Sequence, residues 1–566
     1  MANKMNTRMA ELLKRTGLFS DGQLETLFDS GADSGAPIAR RVVDAGLAAE
    51  EPFLEALAGV LEVPFVKLAD VAIPADVISR LPAKVVFQYN VIPVSVENGA
   101  LRVATNDPFN PGMTDALRLV SGMRIRLVLS CSTELAKAAN KFYGVGADTV
   151  EQLIQDNRIQ VAPEASGKID INELDQEASI VKFVNQVVWE AYKDRATDIH
   201  FEPMEDELRI RYRVDGVLHQ TSMPPQLKRF QAAIISRIKV MSNMDIAEKR
   251  LPQDGRISLG IHGQDIDIRV STLPTVYGES ISLRLLTRSS GLLGLEALGM
   301  NSRDEGVFRK LIHKPHGILL VTGPTGSGKS TTLYACLHAI NSIEKRVITI
   351  EDPIEYEVPG INQSQIKPEI EYTFGTGLRH ILRQDPDIIM IGEIRDFETA
   401  EIAIRASLTG HLVLSTLHTN DSAGAITRLA DMGVEPFLVS SSLEAVIAQR
   451  LVRVLCKSCR RQRPSGDSFV ASAGFPVDRI GGTPIFEPGE CEKCRHTGFH
   501  GRTGIYEVLL ITDEIRPMIV GRVTSNVIKQ KAMAQGMKTL RDDGWDKVLR
   551  GITTVEEVLR VAEEDE

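Results

Sequence analysis

The strongest constraint on the fold is one glycine-rich segment and the stretches on either side of it. An unbroken apolar run at 318–322 leads into Gly-Pro-Thr-Gly-Ser-Gly-Lys-Ser at 323–330, and a helical pattern follows. In this order of strand, loop and helix, backbone N–H groups surround phosphate oxygens and the start of the helix supplies positive potential. Lys329 is placed to reach the β and γ oxygens, and Ser330 to bind Mg²⁺. The predicted nucleotide-binding residues are Gly323, Pro324, Thr325, Gly326, Ser327, Gly328, Lys329, Ser330 and Thr331.

Acidic residues follow two further apolar runs. Glu351, Asp352 and Glu355 come after the run at 347–350, and Glu393 comes after the run at 388–391. Unbroken apolar strands that alternate with helices predict a buried parallel sheet, and ligands bind at the carboxyl ends of such strands. Nucleotide hydrolysis needs a carboxylate near Mg²⁺ and a group that orients the attacking water. The acids are candidates for these tasks, and the alternative is that they cap helices.

Two histidines, His411 and His418, flank a third predicted strand at 412–416, Leu-Val-Leu-Ser-Thr. Imidazole donates or accepts a proton near neutral pH, so either histidine is a candidate γ-phosphate sensor or general acid/base. The alternative for each is a structural hydrogen bond. Because the run between them is expected beside the nucleotide site, both histidines are included among the predicted catalytic residues.

Four of the six cysteines form two pairs, Cys456-x-x-Cys459 and Cys491-x-x-Cys494. When thiols are kept reduced, two such pairs are typical of a tetrahedral zinc site. The alternative is a redox-active pair. The sequence therefore predicts Cys456, Cys459, Cys491 and Cys494 as zinc ligands.

The length of 566 residues allows several domains, because a domain typically contains about 150 residues. Gly17 and Gly46 each separate two helical patterns and lie 29 residues apart, which predicts a tandem helical repeat. Farther along the chain, a β-hairpin is predicted to turn at 97–99. We predict an N-terminal docking domain at 1–145, a linker at 146–176 and an α+β domain at 177–290. A strand of the α+β domain alternates apolar residues with Arg209, Arg211 and Arg213. The region 291–566 is predicted as an α/β ATP-binding domain with a cysteine lobe at 451–504 and helices after it.

Composition excludes some classes of protein. The net charge is −10 and only 5% of residues are aromatic, which argues against a basic, aromatic-lined groove for nucleic acid. No apolar run reaches the ~18–20 residues that span a bilayer, and no hydrophobic signal core follows the first residues. We expect a cytoplasmic protein without a transmembrane segment.

Four long strings together resemble the secretion ATPase superfamily that powers type II secretion and type IV pilus assembly. In that family's terms, 323–330 is the Walker A motif and Ile350-Glu-Asp-Pro-Ile-Glu-Tyr is the Asp box. Leu382-Arg-Gln-Asp-Pro-Asp-Ile-Ile-Met-Ile-Gly-Glu-Ile-Arg-Asp is the Walker B segment, and Thr409-Gly-His-Leu-Val-Leu-Ser-Thr-Leu-His-Thr-Asn is the His box. The resemblance implies a RecA-like P-loop motor core preceded by two α+β domains.

The same resemblance implies an ATP-hydrolysing homohexamer in which nucleotide binds between the motor core and the preceding domain, N2. Arg269 and Arg284 are then expected to reach the nucleotide phosphates. Glu393 is the candidate for coordinating Mg²⁺ through water, and Glu351 or Glu355 for polarising the attacking water. Sequence leaves the choice between these two open.

The amino-acid sequences of the motifs most resemble those of the type II secretion branch, and pilus assembly is the alternative. The implied function is ATP hydrolysis that drives pseudopilus assembly and protein export. The N-terminal domain is expected to dock on an inner-membrane platform protein and hold the chain at the cytoplasmic face of that membrane. The helical repeat also resembles a motif that binds cyclic di-GMP in some relatives, in degenerate form. The rival hypotheses are a nucleic-acid translocase and a nucleotide-gated scaffold without turnover.

Overall fold

A computed structural model describes residues 9–20, 22–24, 27, 37–144, 171–261, 264–287, 293–463, 474–475 and 484–562. The chain forms two compact units, 1–286 and 287–566. Most of the predicted linker, at 146–170, lies outside the described residues. Among the described helices, none combines the length and the apolar composition needed to cross a bilayer.

The first unit begins with short helices that bury one apolar face each. Residues 9–14 are helical, and helices α1 (Ile38–Asp44) and α2 (Glu50–Leu61) follow. Leu13, Phe53 and Leu57 are fully buried in their shared core. Gly17 and Gly46 have φ angles of 72° and 66°, so each ends a helix in the left-handed conformation that glycine adopts without strain.

A small α+β part follows these helices in the first unit. Its elements are α3 (Ala75–Ile78), α4 (Ala83–Tyr89), β1 (Val91–Glu97), β2 (Ala100–Thr105), α5 (Pro111–Ser121), β3 (Arg124–Leu129) and α6 (Ser132–Tyr143). Strands β1 and β2 pair antiparallel across a turn at Asn98-Gly99, which confirms the predicted hairpin. Strand β3 pairs parallel to β2 and completes a three-stranded sheet.

The second part of the first unit is a six-stranded sheet covered by helices. Its elements are α7 (Ile171–Lys193), β4 (Ala196–Pro203), β5 (Leu208–Val214), β6 (Val217–Gln220), α8 (Gln231–Met241), β7 (Gln253–Ile261), β8 (Gln264–Thr275) and β9 (Gly278–Thr287). The strand order is β6-β5-β4-β9-β8-β7. An apolar stripe of α7, from Ile180 to Ala191, is buried against the apolar side of this sheet. The alternating arginines of β5 therefore lie on the opposite side.

The second unit contains a seven-stranded sheet that is buried on both faces. Its first elements are α9 (Ser302–Leu311), β10 (Gly317–Thr322), α10 (Lys329–Ile340), β11 (Val347–Glu351), β12 (Asn362–Gln365), α11 (Phe374–Ile381), β13 (Ile388–Ile391), α12 (Phe397–Leu408), β14 (Leu412–Leu417), α13 (Ser422–Asp431) and α14 (Pro436–Ser442). Separate apolar clusters cover the two faces. The unbroken apolar runs follow from this burial, because both sides of each strand need apolar residues.

The remaining strands extend the sheet and lead to the cysteine lobe. The elements are β15 (Leu443–Leu455), β16 (Arg461–Gln462), β17 (Phe486–Glu487), β18 (Phe499–Leu510), α15 (Arg516–Val520), α16 (Ser525–Ala534), α17 (Leu540–Leu549) and α18 (Val555–Val561). The sheet order is β12-β11-β13-β14-β10-β15-β18, in which only the β15–β18 pair is antiparallel. Strand β10 lies between β14 and β15, so the loop after β10 opens at the carboxyl edge of these strands.

Candidate active site and cysteine cluster

The glycine-rich loop follows β10 directly, and its backbone needs glycine at two closely packed positions. Gly323 has a φ of 151° and Gly328 a φ of 90°. A Cβ on Gly323 would lie 2.5 Å from the Gln449 carbonyl oxygen, and one on Gly328 would lie 2.7 Å from Gln449 Nε2. A side chain at 323 would collide with the backbone of β15, and one at 328 would collide with the Gln449 amide group in a backbone conformation that favours glycine. The loop therefore keeps its shape because two of its glycines leave room for the neighbouring strand.

Lys329 is the first residue of α10, and its side chain turns back onto the loop. Its ammonium donates hydrogen bonds to the carbonyl oxygens of Gly323 at 2.8 Å and Pro324 at 3.2 Å. Burial lowers the pKa of Lys329 to about 8, while the negative charge of Glu393 acts to raise this pKa. Ser327 Oγ is buried and has no hydrogen-bond partner among the described residues. Together, these groups fit a phosphate, because its oxygens could accept from both.

Glu393 brings together the ends of three neighbouring strands. It follows β13 by two residues, and its side chain is largely buried. Its carboxylate contacts the Arg395 guanidinium and lies 3.2 Å from Nε2 of His418, which directly follows β14. Arg395 in turn lies 3.8 Å from the carboxylate of Asp352, which directly follows β11. The structure therefore gathers three of the predicted site residues at the carboxyl edge of the sheet.

The two candidate acids after β11 have very different surroundings. The Glu351 carboxylate is 4% exposed, and it accepts hydrogen bonds from Thr349 Oγ1 at 2.6 Å and Gln363 Nε2 at 3.1 Å, and from the Tyr334 hydroxyl. Both of its oxygens are thus engaged inside the protein. Glu355 is half-buried, and its backbone N–H donates to the same Tyr334 hydroxyl at 3.2 Å.

His411 does not lie where its predicted role requires. Leu412, the next residue, pairs with Gly317 at the start of β10, whereas Leu417 pairs with Thr322 at its end. His411 is therefore at the amino edge of the sheet, and the loop after β10 is at the carboxyl edge. Its Nδ1 lies 2.8 Å from the Ala406 carbonyl oxygen at the end of α12. The expectation that both histidines border the nucleotide site is wrong for His411, which makes a structural hydrogen bond.

Sequence reasoning missed Arg450, a charged residue inside the long strand β15. Its Nη2 donates to the carbonyl oxygen of Asn420 at 2.7 Å. Asn420 lies two residues after His418 in the chain. A Cβ on Gly323 would lie 3.0 Å from its Nη1, so this guanidinium borders the loop. The only signal in the sequence is that Arg450, with Glu444 and Gln449, interrupts a run at 443–452 that is otherwise apolar.

Arg269 and Arg284 lie in the first unit, on the side of the six-stranded sheet away from its core. Arg284 Nε donates to Asp198 Oδ1 at 3.0 Å, and Arg213 approaches the same carboxylate at 3.7 Å from the other neighbouring strand. Arg269 is half-buried and stands opposite Arg256 in the β7–β8 register. Arg209 and Arg211 both contact Glu202. This face therefore pairs several of its arginines with acids.

The four paired cysteines converge in the lobe after β15. The sulfur of Cys456 lies 3.7 Å from that of Cys491, and that of Cys494 lies 3.6 Å from Cys459 and from Cys491. All four sulfur atoms lie within 4.8 Å of one another. Sulfurs at ~2.3 Å from a central zinc in a tetrahedron are about 3.8 Å apart. The cluster can thus hold a metal ion, and the backbone N–H of Gly498 donates to Cys494 Sγ at 3.3 Å.

Comparison with known proteins decides the family. The profile of the family described as "Type II/IV secretion system protein" matches residues 173–560. The chain belongs to this family. The profile of a second family, the MshEN domain, matches residues 61–149, which includes the three-stranded sheet of the first unit. With the loop geometry above, family membership identifies the chain as a P-loop ATPase, and the resemblance seen in the motifs is confirmed.

Several curated proteins are similar to the chain over much of its length. Type IV pilus assembly ATPase PilB of Myxococcus xanthus is 40% identical over 98% of this chain and 99% of that protein. Type II secretion system protein E of Xanthomonas campestris is 42% identical over 99% of both chains. Type II secretion system protein E of Dickeya dadantii is 52% identical over 72% of this chain and 80% of that protein. Relatives of this secretion ATPase thus carry names from both of the predicted pathways.

Proposed function

We propose that this ATPase drives pseudopilus assembly and protein export in type II secretion. The observation that carries the proposal is the convergence of Lys329, Glu393 and His418 at one sheet edge in a member of this family. The 52% identity to a type II secretion protein supports this pathway. Type IV pilus assembly is the second candidate, supported by 40% identity to a pilus assembly ATPase over 98% of the chain.

The P-loop residues are proposed to bind ATP as follows. The backbone N–H groups of 325–331, which include the start of α10, surround the β-phosphate, and Ser327 Oγ gains a partner. The Lys329 ammonium would release the carbonyl oxygens of Gly323 and Pro324 and donate to the β- and γ-phosphate oxygens instead. Burial lowers the pKa of Lys329, and the negative charge of the phosphates would raise it again. Arg450, which borders the loop, adds positive charge on the side of β15.

Ser330 and, through water, Glu393 are proposed to hold Mg²⁺, which when bound neutralises charge that develops on the phosphates. Ser330 is solvent-exposed at the start of α10, so its hydroxyl is accessible to a metal ion. The His418 imidazole, next to Glu393, is the proposed γ-phosphate sensor. Lys329 and His418 would then contact the phosphate chain, and Glu393 would reach the Mg²⁺ bound to it through water.

Glu355 is proposed to orient the attacking water. Glu351 is less suited to this task, because its two oxygens already accept hydrogen bonds from Tyr334, Thr349 and Gln363 inside the protein. Glu355 is half-buried and follows the same strand. Asp352, which is exposed, is proposed to keep Arg395 in place beside Glu393. Of the two acids that the sequence left as alternatives, we therefore favour Glu355.

Zinc is the proposed occupant of the cysteine cluster, since three of the sulfur separations are 3.6–3.7 Å and all are within 4.8 Å, which agrees with a tetrahedral thiolate site. The alternative, a redox pair, needs one pair of sulfurs set apart from the other two. We propose that the metal stabilises a lobe whose own sheet is only the two-residue strands β16 and β17.

The larger assembly follows from the family resemblance and is also a proposal. The chain would work as a homohexamer at the cytoplasmic face of the inner membrane. Its N-terminal domain would dock on a platform protein, and Arg269 and Arg284 would reach nucleotide phosphates. Domain boundaries at 145, 176 and 290 stay predictions. Titration of the full chain with cyclic di-GMP tests the remaining alternative for the N-terminal domain, and saturable micromolar binding would contradict a docking-only role.

The experiment that tests the proposal is Lys329→Ala in the full chain. We expect loss of ATP hydrolysis by at least about a hundredfold, with an unchanged circular dichroism spectrum. Expression of the variant in a strain that lacks the protein should fail to restore export. Normal hydrolysis by the variant would contradict the assigned site. Export that survives without hydrolysis would favour the nucleotide-gated scaffold.

Two further measurements separate the pathways and the remaining rival. Co-purification from membranes identifies whether secretion or pilus platform proteins accompany the chain. A nucleic-acid translocase would show ATPase activity that DNA stimulates. We expect no such stimulation, in agreement with the net charge of −10.

A further inference from the structure

Tyr334 occupies a position between the phosphate-binding helix and the loop that carries Glu355. It lies in α10 four residues after Ser330, so both side chains project from the same face of the helix, about 6 Å apart along its axis. The side chain is 1% exposed. Its ring packs against that of Tyr356, with 4.2 Å between the ring centroids. Tyr334 therefore belongs to the helix of the P-loop but contacts the segment that follows β11.

The Tyr334 hydroxyl makes two hydrogen bonds that define this contact. It donates to Glu351 Oε2, and it accepts from the backbone N–H of Glu355 at 3.2 Å. A hydroxyl has one donor hydrogen and two acceptor lone pairs, so both bonds form at once. Burial and the charge of Glu351 raise the pKa of this phenol. The hydroxyl consequently keeps the proton that it donates.

We propose that Tyr334 is a positioning residue for ATP hydrolysis, which fixes the Glu355 backbone relative to the helix that begins at Lys329. The inference rests on the proposed role of Glu355. Glu351 is the anchor in this arrangement: its buried carboxylate orients the Tyr334 hydroxyl, whose second lone pair then receives the Glu355 N–H. Glu351 thus acts through Tyr334 on the neighbouring acid, which explains why an acidic residue is buried so close to the site.

Tyr334→Phe tests this proposal, because it keeps the ring and removes only the hydroxyl. We expect kcat for ATP to fall about tenfold, which corresponds to about 1.4 kcal/mol. The dissociation constant for a non-hydrolysable ATP analogue should stay within twofold, since the loop at 323–330 is untouched. Tyr356→Phe is the matched control. It makes the same change in the adjoining ring, whose hydroxyl has no hydrogen bond among those found for the described residues.

Hydrogen exchange provides a readout that does not depend on activity. In Tyr334→Phe the amide of Glu355 loses its acceptor, so peptides that contain it should exchange faster, while those of Tyr356→Phe should match the wild type. Faster exchange with lower kcat and unchanged affinity supports the proposal. Unchanged exchange overturns it, and so does unchanged kcat, or a loss of kcat accompanied by equal loss of affinity. If the wild-type chain hydrolyses no ATP, the proposed function fails, whereas the exchange result still shows whether Tyr334 fixes the loop.

Discussion

The active-site edge and the cysteine lobe belong to the same unit but are held together in different ways. At the edge, Asp352, Glu393 and His418 follow strands of a seven-stranded sheet that has an apolar cluster on each face. In the lobe, the four sulfurs are brought together by turns, and the local sheet has two strands of two residues each. A site on a packed sheet keeps its geometry without its ligand, whereas a site formed from turns depends on the ligand itself.

The largest expected effect is the loss of folded structure in the cysteine lobe when its metal is removed. Treatment with a strong chelator, or Cys491→Ser, should remove the metal and unfold the lobe, at a cost of several kcal/mol. Limited proteolysis between 456 and 499 measures the result, and metal analysis of the intact chain establishes occupancy. Nucleotide binding to the sheet edge should survive. A lobe that resists protease equally well after chelation would contradict the dependence on metal.

The next effect compares two histidines at opposite ends of one strand. His418→Ala should lower kcat by about 10- to 100-fold, because the side chain contacts Glu393. His411→Ala should leave kcat within about twofold and cost about 1 kcal/mol of stability, since it loses one hydrogen bond to the end of α12. Steady-state ATPase assays and urea unfolding measure the two quantities. Equal losses of kcat would contradict the separation of the histidines across the sheet.

A loss of stability smaller than that expected at the lobe separates the two acids after β11. Glu351→Gln should lower the free energy of unfolding by about 1–3 kcal/mol, because it changes a buried carboxylate that three donors satisfy. Glu355→Gln should leave that free energy within about 0.5 kcal/mol, because the residue is half-buried, and should lower kcat more than 100-fold. Denaturant unfolding and single-turnover kinetics test the pair. A fully stable Glu351→Gln variant would show that this carboxylate is not a structural anchor.

The smallest effect concerns the ion pairs between β15 and α18, beside the lobe. Although burial raises the pKa of Glu557, hydrogen bonds from Arg560 and Arg453 lower it to about 2. A depressed carboxyl pKa stabilises the fold above the unfolded value of about 4.3, and this contribution disappears as the pH falls from about 4.3 to 2. Glu557→Gln should therefore cost about 1–2 kcal/mol at pH 7 and less at pH 3. A difference that grows on acidification would contradict the assignment.

The sequence predicted the centre of the second unit well, for physical reasons. Strands buried on both faces must be apolar throughout, and a phosphate loop needs glycines at fixed positions, so 318–330 is recognisable without a structure. The cysteine pairs were equally informative, because four thiols at short spacings have few other uses. The seven-stranded order and the identity of the strands beside β10 were not predictable, since pairings between distant segments leave no local pattern.

The residues whose positions were wrongly predicted or missed depend on contacts between segments that are distant in the sequence. His411 precedes its strand and His418 follows it, so strand direction places them at opposite edges, which apolar patterning alone does not convey. Arg450 borders the loop only because β15 pairs with β10. The burial of Glu351 depends on Tyr334 and Gln363, which come from a helix and an edge strand. Each outcome required knowledge of which segments meet.

Strand β15 connects the phosphate loop to the cysteine cluster. Gln449 and Arg450 of this strand border the phosphate loop, and Cys456, six residues after Arg450, is the first sulfur of the cluster. Pairing with β18 continues from Ala445 to Leu455, and the Cys456 N–H donates to the Gly498 carbonyl oxygen at 2.9 Å. A strand that is hydrogen-bonded over this length resists stretching. A displacement of the phosphate loop against the middle of β15 would therefore also move the base of the cysteine lobe.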